Sequence, residues 1–482
     1  MIAYALEAFG QRAAGVLTRV RDAPDAGLLA GDKRLSIRVL HAMAERDSIR
    51  TIDQAVCSVS GDAVPAIEED CLRRLSGSMA AGHVELTEPL RILWAARALM
   101  RLLESDRPGP HARWILTSAL PGQFLRVVAR EGCSRRAVRR LARAADRSAT
   151  AVAAASILAR IDRAWRPGRC RRLPGADFEG VDWANVSCPE IRLQGANLRA
   201  ANLRRADLRK ADLTVASASN AVFAEALLEK ARCAYIRAEA ADFDCAHLGA
   251  ADLLGAHLSR ARLSGARLYR ARLNEANLDG ADCSNIDCAC AQFSSASLDG
   301  TDLTRAQLRE ARLEGADFRR AVIDFASLEQ ASLIAANLEG VGATGLILDH
   351  ANLSKALLTG ASLPAATMTF ANLGGAGLAN VELEGADLRN ADFAGASFHL
   401  GSSRSGLVGS VIAGEGSRTG YYTDDFDDRS FKDPEAIRKA NLCGADLRCA
   451  AVTMCDFYLV DLRRARYDND QAAHFKRCGA IL

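Results

Sequence analysis

The residues with the most chemical potential in this chain fall in three clusters. The first is "CSNIDCAC", which brings Cys283, Cys288 and Cys290 close together. Closely spaced thiols raise the question of a soft-metal site. The second is a polar stretch in which Tyr421, Tyr422 and Phe426 stand among Asp424, Asp425, Asp427 and Asp428. Aromatics beside acids suit a protein contact, although a connector whose aromatics pack back onto the rest of the chain is the favoured reading. The acids could also hold a cation, but the spacing of a calcium-binding EF-hand loop is absent. The third is the stretch from Arg126 to Arg172, with 14 arginines against three acids. There Arg136, Arg140, Arg143 and Arg147 share one helical face, a candidate anion contact for nucleic acid or anionic lipid. No aromatic is interleaved, so a solvated face, or one docked on an acidic surface, is the favoured reading.

Familiar catalytic signatures are missing. There is no phosphate-binding loop, no Gly-x-Ser-x-Gly, no His-Glu-x-x-His and no dinucleotide fingerprint. The eight histidines are scattered. No enzyme, no cofactor and no metal centre is expected.

The element that must position these residues is the stretch from Ala176 to Phe398. It keeps a five-residue rule, Ala-(Asp/Asn)-Leu-x-x, through 45 units counted from Phe178 to Phe398. We call the Leu or Phe the centre. A period of five fits neither a helix nor a strand, but it fits a chain that turns a corner in every unit. The small Ala and the bulky centre then point inward, and the other three residues point outward. Glycine recurs two residues after the centre, as at Gly195, Gly255 and Gly300, where a corner needs positive φ. Four units close a square coil, and coils stacked about 4.8 Å apart make a rod on the order of 50 Å long. No centre is charged, as burial requires. On this reading Cys283 and Cys288 point in and Cys290 points out, so a shared tetrahedral site is awkward.

"GANLRAANLRRADLRKADLT" from Gly195 and its continuation resemble the pentapeptide repeat family. The resemblance implies a right-handed quadrilateral parallel β-helix. It does not imply one activity, since the family includes DNA mimics that protect topoisomerases, effectors delivered into host cells, and interaction proteins.

The expected fold class is α+β multidomain: an N-terminal all-α helical domain followed by that β-helix. Residues 1–172 lack the five-residue period and read as helices. Met1–Arg21, Leu35–Arg46, Pro65–Leu75 and a helix from Thr87 to Leu103 come first, then two with Ser134 and Ser148 as N-caps. Residues 173–400 are the repeat solenoid. Residues 401–439 are an insertion loop. Residues 440–482 resume the repeat out of phase, at Leu442, Leu447 and onward. They close with a short helix over Asp468–Lys476, whose Phe475 caps the rod with Ile481 and Leu482. Trp165, Phe178 and Trp183 are expected to plug the other end.

Charge is uneven: 29 basic against 18 acidic residues over 1–172, and 21 against 29 over 173–400. Arg319 and Glu339, 20 residues apart beside Asp279 and Asp299, are expected to pair along one edge. His257, Arg262, Arg267 and Arg272 should form a belt around one coil, on four different faces. Met1–Arg21 carries Glu7 and Arg12 among its apolar positions, so no secretory leader is expected. Fourteen cysteines without a disulfide spacing favour a reducing compartment, the cytoplasm.

The function expected is a non-enzymatic scaffold whose rigid faces bind a protein partner. Its rivals are a gyrase-protecting DNA mimic, which needs a far more acidic rod, and an exported bacterial effector, which a Ser/Thr-rich leader would support. Nucleic acid is an unlikely partner, and no transmembrane segment is expected.

Overall fold

The structure is a computed structural model. It describes residues 134–145, 150–168, 171–398, 440–455 and 457–482, with Ala96, Leu99, Leu103, Phe124, Leu125, Val127 and Val128. The chain divides into two compact units, Met1–Phe178 and Glu179–Leu482. The helices expected before residue 87 lie outside the described residues. Within Thr87–Leu103, the three described residues are helical and buried.

The first unit contains α1 (Arg135–Ala145) and α2 (Ala151–Ile161), which pack together. α1 buries Ala137, Leu141 and Ala145, a stripe at four-residue spacing. Ser134 caps it as expected: the Ala137 N–H donates to Ser134 Oγ at 3.2 Å. The cap position of α2 is Thr150, while Ser148 lies outside the described residues. Thr150 does not cap α2 through its side chain. Its hydroxyl donates back to the Ala144 carbonyl at 2.7 Å, closing the end of α1 instead. α2 then holds the first residues that follow the five-residue register. The buried Ser156 hydroxyl donates to Val152 O at 2.7 Å and accepts the Asp177 N–H at 2.9 Å. Arg160 pairs with Asp177 at 2.7 Å, and Trp165 stacks on Phe178 with centroids 6.2 Å apart. Trp183 is a buried centre of the second unit.

The second unit is a four-sided coil stack. Each residue preceding a centre forms a parallel bridge with the residue 20 further on: Asp182 with Asn202, Asn202 with Val222, and so on up the rod. The Ala and the centre of each unit are buried, and the remaining residues face out. Centres on one face stack directly, as the parallel Phe223 and Phe243 rings do at 4.7 Å. Thr301 replaces an inward Ala, and its buried hydroxyl donates to Leu278 O at 2.9 Å, so no polar group is stranded.

The consensus follows from where the backbone hydrogen bonds go. Take the unit from Ala201 to Arg205. The N–H groups of Leu203 and Arg205 donate to Val222 O and Ala224 O of the next coil, at 2.7 and 2.9 Å. The Asn202 N–H donates to Val181 O of the previous coil at 2.8 Å. The Ala206 N–H closes the corner onto Leu203 O at 3.0 Å. That leaves the Arg204 N–H, which donates to the Asn202 side chain at 3.2 Å. An Asp or Asn before the centre is therefore a built-in acceptor for the one corner N–H the coil stack cannot reach. Asp302 serves Thr304 N in the same way at 2.9 Å. Asp302→Ala is expected to lower stability by about 1 kcal/mol, and Asp302→Asn, which keeps the oxygen, by much less. Thermal melts of the two variants check this.

The corner two residues after each centre has φ between 51° and 71° at every unit from Gly175 to Gly395. The positive φ expected for the glycines is thus general, and most corners adopt it without glycine. Val215, β-branched at φ 51°, is a costly example. The stacked hydrogen bonds over-determine the corner and hold it there.

The insertion breaks the count but not the stack. Asn441 bridges Glu382, Asp446 bridges Asp387 and Ala451 bridges Asp392. Ala440 therefore starts the next side as residue 401 would have done. Joining Leu400 to Ala440 would restore an unbroken five-residue phase.

The far end is closed by α3 (Asn469–Cys478). Asp468 and Gln471 form a reciprocal capping box at its start. Gln471 Nε2 also donates to Leu447 O and Ala450 O, both at 2.8 Å, satisfying carbonyls at the open end. Phe475 is fully buried, with ring centroids 4.6 Å from Phe457 and 5.3 Å from Tyr467. Gly479, at φ 76°, turns the chain back so that Ile481 bridges Asp461 as a last strand. Phe475, with the buried Cys478 of the same helix, makes the apolar plug. Ile481 is half-buried and Leu482 is exposed, because both belong to the returning strand.

Candidate interaction faces

Outward side chains of a coil stack diverge from one another, and this decides which of the sequence clusters meet. Cys283 and Cys288 are buried centres. Burial pushes both thiols well above their ordinary range, so they are inert core residues. Cys290 faces out, with its sulfur 3.7 Å from Glu310 of the next coil. The three thiols do not converge, and no group of three or more metal-ligating side chains occurs among the described residues.

Of the candidate anion contacts, Arg140 is half-buried and its Nη1 donates to the Leu103 carbonyl at 2.6 Å. Arg143 is exposed in the last turn of α1. The side chain of Arg136 and the whole of Arg147 lie outside the described residues. Among the described side chains of α1, Arg135, Arg139 and Arg143 are the exposed arginines. Ala137 and Leu141 face inward and carry Arg140 partway with them. The candidate partner contacts Tyr421, Tyr422, Asp424, Asp425, Asp427 and Asp428 also lie outside the described residues.

On the rod, most charges are answered locally. Arg319 does not pair with Glu339. Its guanidinium turns back to Asp317 of its own unit at 2.6 Å, while Arg320 takes Asp299. The same return geometry links Arg209 to Asp207, Arg389 to Asp387, Arg448 to Asp446 and Arg463 to Asp461. An Arg just past the centre reaches the Asp just before it with two parallel bonds, which outcompetes a neighbour one coil away. Those bonds hold the carboxyls of Asp207, Asp317, Asp387 and Asp446 below the usual range. The belt residues His257, Arg262, Arg267 and Arg272 occupy bridge positions on successive faces. Arg262 pairs with Asp244 and Arg272 with Asp252, so two of them join acids of the coil below.

One surface feature was overlooked in the sequence. Val322, Phe325, Ile347 and Phe370 are all exposed, and they cluster on two adjoining faces and their corners. The signal was present, since each holds an outward position of the register.

The profile for pentapeptide repeats matches in eight copies, at residues 172–214, 191–229, 241–280, 276–315, 286–323, 302–340, 348–376 and 366–399. Among solved structures, HetL is described as a pentapeptide repeat protein involved in heterocyst differentiation regulation, from the cyanobacterium Nostoc sp. strain PCC 7120. It is 31% identical over 47% of this chain and 88% of its own, with a TM-score of 0.21. A trypsin-treated form of QnrB1, a plasmid-mediated fluoroquinolone resistance protein, is 19% identical over 52% of this chain and 94% of its own, with a TM-score of 0.24. Rfr23, a pentapeptide repeat protein from the cyanobacterium Cyanothece 51142, is 35% identical over 20% of this chain and 59% of its own, with a TM-score of 0.14. Nothing among curated proteins matches the chain significantly. No helix among the described residues is long and apolar enough to cross a membrane.

Proposed function

Because this chain belongs to the pentapeptide repeat proteins, a family defined by a shared scaffold, we propose that it is itself a non-catalytic scaffold whose rod presents rigid faces to a protein partner. The observation that carries this reading is the divergence of the outward positions. Successive bridge residues such as Arg262, Arg267 and Arg272 stand on different sides of the coil. Such a rod offers flat, pre-ordered surfaces, and pre-order lowers the entropic cost of binding. The own-unit Arg–Asp pairs oppose the DNA-mimic alternative, which needs a continuous run of unanswered negative charge. Fourteen cysteines without a disulfide spacing favour a reducing cytoplasm.

Tyr421 and Tyr422, among the acids of the 401–439 insertion, remain the proposed contact for a basic partner, and the exposed arginines of α1 a proposed contact for anions. Replacing both tyrosines by Ser is expected to weaken partner recovery in affinity capture while leaving the melting temperature unchanged. A melt lowered by several degrees with capture retained would make that segment structural and refute the contact.

A further inference from the structure

Three regions of the second unit differ from their surroundings. The arginine belt at Arg262–Arg272 has acidic neighbours. The thiol–imidazole pair of Cys478 and His474, 3.6 Å apart, is folded into the α3 cap. The third region is the apolar cluster on the side that carries Ser327, Ile347 and Thr367. It leads furthest.

That side forms a shallow strip between two aromatic corners. Phe325 stands on the corner before it and is 53% exposed; Phe370 stands on the corner after it and is 55% exposed. Neither ring is loose. Phe325 lies across Gly345 of the next coil, where a Cβ would come within 2.9 Å of the ring. Phe370 stacks on His350 at 4.9 Å, with planes 3° apart. The floor between them is Ile347 with small hydroxyl residues. Exposed aromatics already fixed by glycine and stacking are what a binding surface uses to limit entropy loss.

Its charge is one-sided. Outward positions on these two faces and their corners, from Val322 to Phe370, include Asp324, Glu329 and Asp349 but no Lys or Arg; the nearest base above, Arg389, is paired with Asp387 of its own unit and also feels Asp349. Glu329 is approached at 3.9 Å by Arg309 from the coil below. Asp324 and Asp349 accept hydrogen bonds from Thr344 and Thr369, which fix the carboxylates without neutralising them. The acidity extends along the rod: residues 275–400 hold 17 acids and seven bases. The backbone N–H groups here are spent on coil stacking, as in Ile347 N to Ala326 O and Leu348 N to Thr367 O. An extended strand therefore has no edge to join, and recognition has to run through side chains.

Resting on the scaffold reading above, we propose that the strip from Phe325 to Phe370 is the docking surface for a basic amphipathic helix of a partner protein. The helix lays its apolar stripe on Ile347 between the two phenyl rings. Its Lys or Arg side chains meet Asp324 and Asp349. Arg is favoured over Lys, because a guanidinium also stacks on an aromatic ring.

The test uses the full chain and a labelled helical Lys/Leu peptide of about 18 residues, or about five turns. A Glu/Leu peptide of the same design serves as control, and fluorescence anisotropy gives the affinity. The basic peptide is expected to bind and the acidic one not to. Phe325→Ser with Phe370→Ser is expected to weaken binding by about tenfold or more, with an unchanged melt because both rings face out. Asp324→Asn with Asp349→Asn should weaken it and flatten its salt dependence. A control pair on another corner, Val215→Ser with Tyr235→Ser, should leave binding intact. No binding of the basic peptide, or equal loss in the control pair, overturns the proposal. So does a concentration-dependent dimer in sedimentation that the phenylalanine variants dissolve, which would assign the strip to a second copy. Affinity capture separates this proposal from the scaffold reading. A natural partner still retained by the phenylalanine variant removes the strip and leaves the scaffold. A full chain that captures nothing removes the scaffold itself.

Discussion

Leu268→Arg is expected to break the rod, while Arg267→Ala, one residue away, is expected to be nearly silent. Leu268 is buried between Leu248 and Cys288 of the neighbouring coils, and Arg267 faces out. The coil at this level, residues 256–275, buries only Ala and Leu side chains, and the coils on either side add only further apolar groups, so an inserted guanidinium finds no counter-charge. Leu268→Ala alone should cost about 2–5 kcal/mol. The charged variant should cost more, because an unpaired buried charge adds roughly another 3–5 kcal/mol. Each coil contacts only its neighbours, so the lesion should split the stack into two weaker halves. Thermal melts followed by circular dichroism decide the matter. A Leu268→Arg protein melting like Arg267→Ala would place Leu268 on the surface and reverse the inward assignment.

Phe475→Asp should act at one end only. Phe475 is the plug that α3 inserts against Phe457 and Tyr467. Losing the ring alone costs about 3–5 kcal/mol, and a buried carboxylate costs more. With α3 displaced, the last coil exposes Leu447 O and Ala450 O, which Gln471 otherwise satisfies. An open β-edge invites association. Hydrogen exchange should lose protection over residues 440–462 and keep it over 203–268, and the variant should aggregate on warming. Uniform loss along the rod would mean that the stack unfolds as one block and that α3 is more than a local cap.

Much of this was legible because five residues make one side and four sides make one coil. Once the register was set at Phe178, the burial of Leu203, Leu268 or Phe393 followed from position alone. The purpose of the Asp or Asn before the centre was not legible. Asn202 looked like one more outward polar residue, and its role appears only when the Arg204 N–H is seen to lack a backbone acceptor. The Arg319–Glu339 pair failed for a related reason. Spacing by 20 gives neighbours on one edge, but the flexible guanidinium reaches Asp317 within its own unit first. Thr150 replaced Ser148 as the cap position because a cap depends on where the preceding helix stops, which an Arg- and Ala-rich run does not mark. The Phe325–Phe370 strip is not visible in the consensus, which leaves the last two residues of each unit unspecified. Read by face, the same letters place four large apolar side chains together.

The most direct test of the central claim is deletion of residues 401–439, joining Leu400 to Ala440. Asn441 already bridges Glu382 as the next coil, so the rod should close without the insertion. The expected result is an unchanged melting temperature together with weaker capture of the partner, whose remaining hold is on the rod, showing a self-sufficient scaffold and a second, separable contact surface. A deletion protein that fails to fold, or that folds and retains its partner undiminished, would contradict this division of labour.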